Sequence, residues 1–77
     1  MEPKREVKWL GSHECDICGS DCRSGSGVLW DARIPAYGQW GVLCGECAEA
    51  YGVRAGIGRG QRYEWRGERG GFVKVEG

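Results

Sequence analysis

A small α+β fold is what this sequence predicts, and three observations carry the prediction. Two CxxC pairs, Cys15-Asp-Ile-Cys18 and Cys44-Gly-Glu-Cys47, stand 25 residues apart in a chain of only 77. Between them, alternating apolar residues are interrupted by a turn signal, Pro35-Ala-Tyr37-Gly38. The second pair opens a segment with helical periodicity, since Cys44, Cys47, Ala48 and Tyr51 fall at i, i+3, i+4 and i+7. A chain this short buries only about 60% of its unfolded surface, so its hydrophobic core is marginal without a staple. Fifteen glycines deepen the deficit, because glycine loses the most backbone entropy on ordering.

The cysteines supply the staple. Cys15, Cys18, Cys44 and Cys47 offer four soft thiolates at the spacing of one tetrahedral Zn²⁺. Disulfides are the competing use of the five cysteines, but the count is odd and a reducing cytosol disfavours such bridges. A closed site of four cysteines is structural, because a catalytic zinc keeps one position open for water. Structural zinc contributes ~10–16 kcal/mol in apparent terms, against about 5–15 kcal/mol for the net stability of a typical domain. Cys22, the fifth cysteine, is a replacement ligand for Cys18, a redox group or a free thiol. The spacing favours the free thiol, because the two pairs complete the site without it. His13 is an alternative ligand, a donor behind the ligands or, most simply, a turn residue.

In chain order, residues 1–77 read as a single zinc-binding domain, with a charged, frayed stretch at 1–6. Val7 to Leu10 suggests a short strand leading to a knuckle at Cys15–Gly19, where the glycine permits a tight turn. After a Ser/Gly-rich loop at Asp21–Gly27 comes a β-hairpin over Val28–Leu43. Val28, Trp30, Ala32 and Ile34 are expected on one face, and Trp30 and Trp40 as cross-hairpin neighbours near the zinc. A helix of about two turns follows, with Gly52 as its stop. Knuckle, hairpin and ligand-bearing helix make a treble-clef-like zinc finger. A zinc ribbon, with its second pair on another hairpin knuckle, is the competing arrangement. The segment 54–77 reads as a basic loop and C-terminal β-hairpin, Arg62–Arg66 with Phe72–Val75, with Tyr63 and Trp65 on one face.

Charge divides the chain. Residues 1–50 carry five basic and eight acidic side chains, residues 51–77 six and three, for a net charge of zero. Arg54, Arg59, Arg62 and Arg66 interleave with Tyr63 and Trp65, a pattern suited to phosphate contact and base stacking on DNA or RNA. In the competing reading, Tyr63 and Trp65 are core and the arginines a solvated face offset by Glu64 and Glu68. Neutrality argues against tight non-specific binding, since affinity scales with the phosphates neutralised. The alternative function is docking on another protein. Gly56-Ile-Gly58-Arg-Gly60 lacks the Lys-Ser/Thr of a phosphate loop. An enzyme is not expected, because the chain has no asparagine, no threonine and one histidine. A His-Asn-His nuclease therefore lacks its residues, and a two-zinc RING module lacks ligands. No apolar stretch exceeds three residues, so neither a membrane helix nor a secretory leader is expected, and the cytoplasm is the default.

Across about two-thirds of its length the chain resembles short four-cysteine zinc-finger-like proteins of tailed bacteriophages and prophages. The matching stretches are CDICG at 15–19, WDAR at 30–33, GQWGVLC at 38–44, the CxxC at 44–47, YGV at 51–53 and GIGRGQRYE at 56–64. The resemblance implies one zinc held by four cysteines, a phage origin and a bacterial host cytoplasm. It implies no particular activity, and it does not extend to Cys22 or beyond Glu64.

Overall fold

A computed structural model describes residues 7–77; the fraying expected at 1–6 lies outside the described residues. Five elements follow one another: β1 (Val28–Ile34), β2 (Gln39–Cys44), α1 (Gly45–Ala50), β3 (Gly60–Trp65) and β4 (Phe72–Glu76). The four strands form one antiparallel sheet in the order β2-β1-β3-β4. Both expected hairpins are present. The second is not an appendage, however, because β3 lies along β1 from Val28↔Glu64 to Ala32↔Gly60. Alternation within β3 shows which residues share a face but not which strand it joins.

β1 is apolar on both faces, as a central strand should be. Leu29 is buried on one face, beside Tyr63 and Cys44, while Ala32 and Ile34 are buried on the other. The expected single apolar face therefore becomes two, with Val28 and Trp30 only half-buried. Asp31, on the Leu29 face, is partly desolvated, which raises its pKa. The four-residue turn pins the hairpin so that Trp30 meets Leu43 and Trp40 meets Arg33. The two tryptophans consequently point to opposite faces, and the expectation that they are neighbours is wrong.

α1 packs on β1 and β2, on the Ala32 face, where its Ala48 joins Leu43 and Val53 in the core. The expected helix stop is confirmed in detail: the Val53 N–H donates to the Ala48 carbonyl (2.9 Å) and Gly52 N–H to Glu49 (3.2 Å). That pair of bonds is a Schellman motif, and Gly52 takes the left-handed φ of 67° that it requires.

The Leu29 face is closed by residues before β1. Lys8 bridges Val73, Lys74 N–H donates to the Val7 carbonyl and Trp9 N–H to Phe72, so the expected strand is reduced to a strap on the edge of β4. The chain then crosses the face, with Trp9 against Tyr63 (5.7 Å) and His13 against Phe72 (5.2 Å) and Trp65 (6.0 Å). At the far side Asp16 takes over the outer edge of β2. Its N–H donates to the Val42 carbonyl, and its carboxylate accepts from the Val42 N–H, both at 2.7 Å. One segment thus occupies both sheet edges, which would otherwise present unpaired backbone groups.

Candidate metal centre and basic concavity

The knuckle holds the first ligand pair. Cys15 N–H donates to the Ser20 carbonyl (2.8 Å) and Gly19 N–H to the Cys15 carbonyl (2.9 Å), with Gly19 at a φ of 76°. The Asp16 clip fastens this knuckle to β2, whose last residue is Cys44. Cys44 is also the N-cap of α1, and Cys47 follows within its first turn. Sheet edge and helix start therefore converge on one point.

At that point the four sulfurs of Cys15, Cys18, Cys44 and Cys47 lie within 4.8 Å of one another. Cys18 and Cys44 are 3.8 Å apart, sulfur to sulfur. A tetrahedron with metal–sulfur bonds of about 2.3 Å has an edge of about 3.8 Å, so the cluster has the dimensions of a four-thiolate metal site. Cys15 and Cys44 are buried, Cys47 is half-buried and Cys18 is exposed. The Ser20 hydroxyl, 2.9 Å from Cys18 Sγ, and the Ser20 backbone amide bring the Cys18 thiol down to about 6. Burial, with the neighbouring thiols, pushes Cys47 up. Several thiolates this close need a cation to be ionised together, and metal capture expels the protons.

Cys22 lies beside the cluster, not in it. It is fully buried, its N–H donates to the His13 carbonyl (2.7 Å), and burial first, then Cys15 and Cys44, push its thiol up to about 12. His13 packs edge-on against Phe72 and Trp65 and is absent from the sulfur cluster. Ser20 and Asp16 were not singled out by the sequence. A polar residue inside or just after a CxxC is the only signal either left.

The residues proposed for nucleic-acid contact separate into two groups. Arg62 donates to Glu76 (2.6 Å) and Glu64 (3.1 Å), and Arg66 pairs with Glu64 at 3.3 Å. Tyr63 is 4% exposed and its hydroxyl donates to Gln61 Oε1, so its ring is core and offers no face to a base. Arg54 and Arg59 make no ion pair among the described residues. They are joined by Arg33 of β1, which no motif in the sequence marks as a binding residue. These three arginines line one open concavity of about 540 Å³ with Pro35, Gly52 and Gly58. Its shape is held by the backbone: Arg33 N–H donates to the Arg59 carbonyl (3.0 Å), and Arg59 and Gly60 N–H both donate to Gly56 (3.1 Å).

Among the described residues no helix is long and apolar enough to cross a membrane. No protein-family model, no curated protein and no solved structure matches this chain.

Proposed function

We propose that this protein is a non-enzymatic binding module of treble-clef type, stapled by one zinc ion, that engages DNA or RNA through Arg33, Arg54 and Arg59. A phage-encoded protein working in the cytoplasm of a bacterial host is the setting this reading assumes. The donor set favours zinc: four thiolates leave no open position for water, as in structural rather than catalytic sites. Iron also accepts four sulfurs, so metal analysis should find one zinc per chain and a colourless protein. The observation that carries the nucleic-acid reading is the gathering on one concavity of three arginines that make no ion pair among the described residues. Three neutralised phosphates would give log affinity against log salt a slope between about −2 and −3.

The test is a fluorescence titration of zinc-loaded protein with short DNA and RNA at several salt concentrations. Arg54→Glu with Arg59→Glu should abolish binding and leave circular dichroism unchanged. Unchanged affinity in that variant would move the surface elsewhere. Leu10 and Ile57, both almost fully exposed, favour a second reading in which the module docks on a host or phage protein. A single partner retained after nuclease treatment, with no binding to nucleic acid at low salt, would select it.

A further inference from the structure

Two large aromatics are exposed at the tip of the first hairpin, Tyr37 packed against Tyr51 (6.0 Å) and Trp40 without an aromatic neighbour among the described residues. Tyr37 in the turn is 59% exposed and Trp40 on β2 is 54% exposed. Trp40 is directly opposite Arg33 in the register, so their side chains leave the same face with Cβ atoms about 4.5–5.5 Å apart. Arg33 also lines the arginine concavity, and Pro35 carries that lining into the turn. A flat, exposed ring therefore adjoins Arg33, one of the three cations of the concavity. The turn beneath it is fixed by Tyr37 and Gly38 N–H groups, both donating to the Ile34 carbonyl (3.0 and 2.8 Å). Asp16, which lines a neighbouring concavity with Trp40, already accepts the Val42 N–H, and Asp31 shares the Trp40 face two residues before Arg33.

We infer that the ligand is a single strand of nucleic acid, with consecutive phosphates on Arg33, Arg54 and Arg59 and a base stacked on Trp40. This deepens the nucleic-acid reading and rests on it. Base faces are hidden inside a duplex, whereas every unstacked base offers one to an exposed aromatic. The alternative, a helix in the major groove, is disfavoured by the only helix described. α1 has six residues, no basic side chain in its last turn, and Glu46 and Glu49 on its exposed side. Phosphates would be repelled there. Because Trp40 is on a strand, its backbone is fixed before the base arrives, and only the side chain remains to be ordered on binding.

The experiment measures the affinity of zinc-loaded protein for a short oligothymidylate and for a duplex of equal length. Wild type is compared with Trp40→Ala, Trp40→Phe and the Arg54→Glu/Arg59→Glu pair. The expected result is tighter binding of the single strand, and about a tenfold loss in Trp40→Ala with an unchanged salt slope. Trp40→Phe should recover most of that loss, which a change of fold would not do. Single-strand binding by Trp40→Ala at wild-type strength, with the arginine variant inactive, overturns the stacking inference and leaves the nucleic-acid reading standing. A preference of wild type for duplex overturns it likewise. Failure of wild type to bind either probe at low salt overturns both.

Discussion

Cys18 and Cys22 are close in sequence and meet opposite environments. Cys18 is at the surface with the Ser20 hydroxyl and amide on its sulfur, and its thiol falls to about 6. Cys22 is sealed in the core, and its thiol rises to about 12. At neutral pH the first is a ready ligand and the second an inert apolar group. Cys44→Ser should therefore lose both the metal and the fold. Cys22→Ser should keep one metal per chain and lose about 1–3 kcal/mol through a buried hydroxyl. Equal loss of metal and of circular dichroism in the two variants would refute this assignment. The CxxC spacing was enough to select the four sulfurs, because ligand geometry is local within each pair. Spacing could not show that Arg62 would be neutralised: its partner Glu76 lies 14 residues away and meets it only across the β3–β4 ladder. Nor could it choose between a stacking and a buried Tyr63.

At the level of elements, two glycines do different work. Gly52 has nothing within 4 Å of where a Cβ would stand, so its requirement is purely the positive φ of the Schellman turn. Gly60 has no such φ, yet a Cβ there would lie 2.6 Å from Ala32 Cβ and 2.9 Å from the Arg54 carbonyl oxygen. Gly52→Ala should cost about 1–2 kcal/mol from left-handed strain alone. Gly60→Ala should cost about 3 kcal/mol, because two paired strands must separate. It should also weaken nucleic-acid binding, since the loop it would displace carries Arg54 and Arg59. Thermal melts check both costs, and unchanged affinity of Gly60→Ala in the same titration would detach the concavity from this loop. Helix, stop and hairpins were legible in the sequence because their signals are periodic or adjacent. The pairing of β3 with β1 was not, because a strand pattern specifies a face and leaves the neighbour open.

For the molecule as a whole, the candidate metal site and the sheet are interdependent. The knuckle that presents Cys15 and Cys18 also supplies Asp16 to the edge of β2, and β2 ends in a ligand. With an apparent structural-zinc energy of ~10–16 kcal/mol against a typical net stability of about 5–15 kcal/mol, the zinc reading predicts that the metal-free chain unfolds. A strong chelator should abolish the cooperative melt and make the chain protease-sensitive, both reversed by zinc. A chelated protein that still melted cooperatively would reduce the metal to an accessory. The α+β class and the need for a staple could be read from length, glycine content and cysteine spacing. The unity of the sheet could not, since it depends on the long-range pairing of β1 with β3, and neither could the strap, in which Val7–Trp9 contacts Phe72–Lys74.

That last contact sets an order of assembly during translation. All four sulfurs have been made once Cys47 is added, whereas the partner of Val7–Trp9 arrives only with Phe72–Lys74. At about 5–20 residues per second, the ligands precede the closing strand by roughly one to five seconds. As that interval opens only the β1–β2 hairpin and the four sulfurs exist, and the Leu29 face has no cover until Phe72–Lys74 is made and gives Val7–Trp9 an edge to dock on.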